Sequence, residues 1–510
     1  MALENATTLF VSLLVLGIVG WGYLRARTYG QYGMVAWLQS IVLMVPWLLF
    51  FGLSALGIYL NFLVILVLFA VALGIYIYLG RKLRAMGQAQ RDQMLQARLN
   101  KLNQTPEGTD ESDERPETEA GTKKPAPSGI PVLHPIPEAD LTQMQGIFGI
   151  DTFFCTETVP YQDGAIFRGN LRGEPRQVHT QLTGKLTDRL GDRYRLFLVE
   201  GPEAKPVVIV LPSNNGPKPQ GMGQRLLAIV LSLATLVTVF ERGELQYGFD
   251  LFENPAPPPT IIPLFLGLVL ILLGHELGHL WMARRRQVRL SWPLFIPAWQ
   301  LGSFGAITRF ESVLPNRETL FDVALAGPAV GGILSFISLL LGLILPPGNL
   351  AVQVPTPLFQ GSLLVGTLAR TLLGARLETT VLVLNPLFIV GWLGLIITAV
   401  NLIPAGQLDG GRIVQAIYGR PTANRATIVS VILLVIASFA NPLALYWAIL
   451  IVFLQRQPER PSLEELTEPD DTRAALGLLA LFLMLVMLLP LTPSLAGRLG
   501  IGIANSSLPL

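Results

Sequence analysis

The chain has 510 residues, of which 51% are hydrophobic and only 14% charged, with a formal net charge of +2. That balance is a membrane protein's, and nothing in it calls for nucleic acid. Cys155 is the single cysteine, which excludes an internal disulfide and a cysteine-based zinc cage.

Three apolar runs open the chain at 8–24, 35–57 and 61–80, each close to the roughly 20 residues a helix needs to cross the hydrocarbon core. The first follows an acidic start without a small-residue cleavage site, so it reads as a retained span and not a signal peptide. Arg25, Arg27 and the cluster Arg81 to Arg84 place the ends of the first and third spans on the cytoplasmic side. Residues 81–130 form a linker whose tract TPEGTDESDERPETEAGTKKPAPSG, 105–129, cannot bury a core. Its seven acidic residues between Glu107 and Glu119 read as solvated spacer, with protein docking as the alternative.

Between 131 and 222 the pattern turns globular. A helix is predicted from Pro175 to Gly191, and RYRLFLVE and KPVVIVLP, separated by GPEA, predict a β-hairpin. Spans return near 224–241, 260–282, 320–345, 380–403, 425–439, 441–455 and 473–493. Residues 357–378 carry Arg370 and Arg376 and read as surface-lying or re-entrant. The expected fold class is an α-helical polytopic membrane protein with a small soluble α+β domain on the cytoplasmic side. Its regions are the opening spans (1–80), the linker (81–130), the soluble domain (131–222), a helical core (223–455) and a C-terminal loop with the last span (456–510).

The core opens its chemistry in LLGHELGHLWMARRR, Leu272 to Arg286. Residues four apart share a helix face, so His275 and His279 can offer both imidazoles to one metal ion while Glu276 projects beside it. Zinc held by neutral His with an open position acidifies water, and a neighbouring carboxylate can take the proton. The competing reading is two histidines satisfied inside a bundle. Two of only four histidines at this spacing in a span, where polar groups are costly, weigh against it. A catalytic zinc site needs a third protein ligand. The candidate is Asp409 in NLIPAGQLDGGR, which charge counting puts at the same depth as the histidines; an ordinary Asp-Gly turn is the alternative.

A span-embedded H-E-L-G-H followed about 130 residues later by N-x-x-P-x-x-x-L-D-G resembles the site-2 protease family of intramembrane zinc metalloproteases. The resemblance covers roughly 224–455 and implies His275, His279 and Asp409 as ligands to one zinc ion and Glu276 as catalytic base. It also implies a site-2-protease-like core with a membrane-associated β segment. WQLGSFGAITRF, Trp299 to Phe310, resembles that segment, which makes Gly302, Ser303, Phe304 and Gly305 candidates for pairing with an unwound substrate; a tight interfacial hairpin is the alternative. LAGPAVGG, Leu325 to Gly332, matches the family's G-P element and equally suits plain helix packing. IFGIDTFF and FRGNLRGE resemble the plant-plastid and cyanobacterial EGY-like branch.

The function expected on this basis is cleavage of transmembrane segments of membrane-tethered proteins, with single-span proteins as substrates and the lipid bilayer as the surrounding partner. A silent scaffold or chaperone that keeps a zinc site is the competing reading, and it would call for a closed four-ligand site. A metal transporter would need polar residues deep in several spans, which are mostly aliphatic here. The lack of a recognisable transit segment favours a cyanobacterial plasma or thylakoid membrane over a plastid one. Nothing in the sequence indicates an oligomeric state.

Overall fold

The computed structural model describes residues 20, 22–28, 30–55, part of 64–86, and then 136–161, 163–201, 205–247, 261–298, 300–455 and 457–501. The tract 105–129, most of the first expected span and part of the third lie outside the described residues. The chain divides into two compact units, Met1–Ala126 and Pro127–Leu510. In the first, helix α1 (Gly30–Ala55) covers most of the second expected span, and its Gln39 donates to the carbonyl of Tyr76 at 3.2 Å.

The second unit begins with helix α2 (Glu138–Gln145) and strands β1 (Phe153–Tyr161) and β2 (Gly164–Leu171). Helix α3 (Pro175–Leu190) and strands β3 (Tyr194–Glu200) and β4 (Pro206–Pro212) follow. Helix α3 starts where Glu174 accepts from the Gln177 N–H with Pro175 in the first turn, and stops at Gly191, whose φ is 60°. Val178, Leu182, Leu186 and Leu190 recur every fourth residue and form one buried stripe. They share a core with Phe153, Phe167, Leu196, Leu198, Val208 and Val210 of an antiparallel sheet of order β1-β2-β4-β3. Each large apolar side chain contributes about 1.5–3 kcal/mol there. The β3–β4 hairpin matches the sequence expectation; the β1–β2 hairpin was not foreseen. Arg193 donates two parallel bonds of 3.0 Å to Asp140, and the Tyr194 hydroxyl donates a third at 2.8 Å. Burial and this carboxylate push Tyr194 up to about 12.

The remaining elements are α4 (Met222–Tyr247), α5 (Ile261–Arg285), β5 (Leu294–Ala298), β6 (Gly302–Ile307), α6 (Arg317–Ile344), β7 (Val352–Pro355), α7 (Leu363–Leu373), β8 (Val381–Leu384), α8 (Leu387–Asn401), α9 (Asp409–Ala437), α10 (Pro442–Leu450), α11 (Asp471–Leu488) and α12 (Pro493–Arg498). Among the described residues, α4 up to Gly243, α5, α6, α9 and α11 are long and apolar enough to cross a membrane. Residues 357–378 hold only the eleven-residue α7 between two short 3-10 turns. At about 1.5 Å per residue α7 is too short to span.

The span expected at 380–403 is redrawn. Residues 381–384 form β8, antiparallel to β7, and α8 starts only at Leu387 with 15 residues. Val381 to Leu384 alternate exposed and buried, a period of two that an unbroken apolar run conceals. The span expected at 425–439 lies largely in the second segment of α9, past a break at Gly419, whose φ of 79° is not helical.

Residues 459–466 strap the soluble domain to the core. Leu198 of β3 donates to the Leu463 carbonyl at 2.7 Å and accepts from the Glu465 N–H at 2.9 Å. The same loop donates from Leu463 and Glu464 to the carbonyls of Leu314 and Pro315, just before α6. An Arg176–Glu318 ion pair adds a side-chain tie between the two parts.

Candidate metal centre

On α5 the buried residues Leu264, Leu268, Ile271, Leu272, His275 and His279 form one continuous inward stripe. The imidazoles therefore prolong the face that already packs into the bundle. Against them lies α6, whose small residues make the approach possible. A Cβ on Gly327 would sit 2.2 Å from Nε2 of His279, and one on Gly331 would sit 3.1 Å from Nδ1 of His275. The G-P element thus makes room for both rings, a role its composition alone does not separate from helix packing.

Asp409 is the first residue of α9, where the helix dipole favours a carboxylate. The turn before it folds back so tightly that a Cβ on Gly410 would meet the Leu402 carbonyl oxygen at 1.8 Å. The glycine is required by that close approach, and it aims Asp409 at the histidines. Its Oδ2 lies 3.1 Å from Nε2 of His275 and its Oδ1 lies 3.4 Å from Nε2 of His279. The two Nε2 atoms are themselves 3.1 Å apart. All three residues are buried.

These distances suit a metal better than hydrogen bonds. His279 Nδ1 lies 2.7 Å from the Val323 carbonyl oxygen, which can only accept, so Nδ1 carries the proton and Nε2 presents a lone pair. That lone pair faces a carboxylate and a second imidazole nitrogen. A divalent cation among them removes the conflict, and a tetrahedral ion with bonds of about 2.0–2.1 Å has ligand atoms about 3.3 Å apart, matching the separations seen. The ligand atoms of His275, Glu276 and His279 also fall within 4.8 Å of one another. Glu276 is less buried than the histidines, and its Oε2 accepts from Thr308 Oγ1 at 3.0 Å.

A narrow cleft borders His279 and Asp409 and is walled by Ala306, Ile307, Thr308, Asn401 and Arg412, among others. Gly302, Ser303, Phe304 and Gly305 lie deeper and are all buried. Their polar groups are engaged internally: Thr238 donates to the Gly302 carbonyl at 2.6 Å, Asn401 to the Phe304 carbonyl at 3.0 Å, and the Gly305 N–H donates to Ser303 Oγ at 3.0 Å. The part of β6 that lines the cleft is Ala306 and Ile307, and Thr308 continues it. Asn401, Thr308 and Arg412 join the site without having been singled out in the sequence; only the leading Asn of the second motif pointed to one of them.

Residues 263–440 match the profile of peptidase family M50, and residues 142–218 match that of the EGY3 middle domain. The chain is 42% identical over 363 residues to the probable zinc metalloprotease EGY2, chloroplastic, of Arabidopsis thaliana, covering 70% of this chain and 65% of that protein. Against the probable zinc metalloprotease EGY1, chloroplastic, of the same plant, identity is 37%, covering 71% of this chain and 72% of the relative. The chain belongs to peptidase family M50, the site-2 proteases, in its EGY-like branch.

The M50 match runs from the start of α5 through α9 and so includes both motifs. A third relative, the probable zinc metallopeptidase EGY3, chloroplastic, of Arabidopsis thaliana, is 30% identical, covering 72% of this chain and 67% of its own length. The chain spans 65% of the length of the EGY2 relative. No solved structure matches. The expected bacterial plasma or thylakoid membrane is corrected by these relatives, which are chloroplastic proteins of plants and point to a plastid membrane. That expectation rested on the lack of a recognisable transit segment, whereas the similarity runs through residues 263–440.

Proposed function

We propose that this M50 chain is a zinc endopeptidase that cleaves transmembrane segments of membrane-tethered proteins. The observation that carries the reading is the convergence of His275, His279 and Asp409 with Glu276 beside them. His275 and His279 through Nε2 and Asp409 through its carboxylate would hold the ion. Zinc, when bound, supplies a Lewis acid that polarises a carbonyl and acidifies water.

The chain's own residues do the rest. Val323 keeps His279 in the tautomer that offers Nε2. Glu276, one residue beyond His275 and outside the ligand set, accepts the proton of the attacking water and returns it to the leaving amine. A helical substrate hides its scissile carbonyl in its own hydrogen bonds, so it must unwind before attack. The cleft beside Ala306 and Ile307 receives the extended form, with Gly302 to Gly305 as the scaffold behind it.

The test is cleavage of a panel of single-span substrates by detergent-purified wild type and Glu276→Gln, with zinc assayed in both. Loss of cleavage in the variant at about one zinc per chain supports the reading. Undiminished cleavage by the variant sinks it.

A further inference from the structure

We propose that Thr308 and Arg412 are positioning residues that hold Glu276 ready for proton transfer; this rests on the protease reading above. Glu276 projects from α5 on a turn whose inward places are taken by the histidines. A glutamate there has three rotatable torsions and no intrinsic reason to stay beside the ligand set. Thr308 supplies one: its Oγ1 donates to Glu276 Oε2 at 3.0 Å from a residue only 8% exposed.

Thr308 lies one residue beyond the end of β6, between that strand and Arg309, whose main chain is tied to Ser291. Arg412 adds a direct hold on Thr308. Its Nη2 donates to the Thr308 carbonyl at 2.6 Å, and its guanidinium lies over the Phe310 ring at 5.0 Å. The same guanidinium reaches Glu459 Oε2 from Nη2 at 3.0 Å and from Nε at 3.3 Å. Glu459 is held in turn by Gln415, which donates to its carbonyl at 3.1 Å and accepts from its N–H at 2.7 Å. Arg412, Gln415 and Glu459 are all buried. The chain of contacts therefore runs from the C-terminal loop to the carboxylate beside the ligand set.

The fork of the guanidinium is essential to this arrangement. One side chain serves a carboxylate and a carbonyl in fixed directions while stacking on a ring, which an ammonium cannot reproduce. Arg412→Ala would strand Glu459 as a buried, unpaired charge and risk the fold, so the informative variants are conservative.

Full-length, detergent-purified wild type, Thr308→Val, Thr308→Ser, Arg412→Lys and Glu276→Gln are compared for kcat, KM, zinc content and Tm on one single-span substrate. Thr308→Val is expected to lower kcat about 10–100-fold with KM and zinc unchanged. Thr308→Ser, which keeps the hydroxyl, restores kcat, and Arg412→Lys reproduces the Thr308→Val loss. In the double variant Thr308→Val with Arg412→Lys, the loss does not exceed that of the single variants, because both act through one contact. The inference is overturned if Thr308→Val turns over at the wild-type rate, if its loss tracks lost zinc, or if Thr308→Ser is as slow. Cleavage that survives Glu276→Gln removes the protease reading and this inference with it. Cleavage that depends on Glu276 but ignores Thr308→Val removes this inference alone.

Discussion

The carbonyl oxygen of Val323 lies 2.7 Å from Nδ1 of His279, so a main-chain group of α6 decides which ring nitrogen on α5 is free to bind. The approach that brings them together depends on α6 having no side chain at Gly327, because the imidazole occupies that space.

Gly327→Ala should therefore displace His279 rather than unfold the bundle. Bound zinc is expected to fall well below one per chain, cleavage to fall with it, and helix content by circular dichroism to stay at the wild-type level. Full zinc occupancy in this variant would show that the ring does not need the space.

Asn401 donates to the Ile397 carbonyl at 2.8 Å and to the Phe304 carbonyl at 3.0 Å, joining the end of α8 to β6. Asn401→Ala leaves the Phe304 carbonyl buried without this donor, a loss of about 1–3 kcal/mol. The Tm of the purified protein should fall accordingly, and an unchanged Tm would mean that β6 does not rely on this bond.

Burial pushes Glu465 up from 4.5 to about 7, with Glu200 and Glu464 adding to the shift and Arg420 and Arg317 opposing it. The folded chain thus holds this proton more tightly than the unfolded one. Its contribution to stability is fully present below about pH 4.5 and is lost as the pH rises through about 7. His179 works in the other direction, since burial lowers its pKa from 6.5 and its contribution is lost as the pH falls. The quantity to measure is the difference in Tm between wild type and Glu465→Gln across pH 4 to 8. It should shift in the variant's favour through that window; a flat difference would remove the role given to Glu465.

Leu182 is fully buried in the soluble domain's core. Leu182→Ala should cost about 2–5 kcal/mol, read as a lower urea midpoint for the transition of that core.

The histidine pair could be read from sequence because a helix converts a spacing of four into one face, and a span makes accidental polar residues rare. The ends of α3 were also readable, since Pro175 and Gly191 act through neighbours in the chain. Strand β8 was hidden because its alternation lies within residues that are all apolar. Gly327 and Gly331 were visible only as small residues, since nothing local says whether a helix or an imidazole fills the space. Thr308 and Arg412 lie 104 residues apart, and Thr308 lies 32 from Glu276. Such partners are set by how elements pack and leave no periodic trace.

The loop at 459–466 has a consequence for where the chain can be cut. Strand β3 is an outer strand of its sheet, and its Leu198 lends both main-chain groups to Leu463 and Glu465. That flank is thereby shielded from recruiting a foreign strand. Four residues before Leu463, Glu459 anchors Arg412. A truncation ending before residue 459 would bare this edge of the sheet and strand the arginine at a stroke.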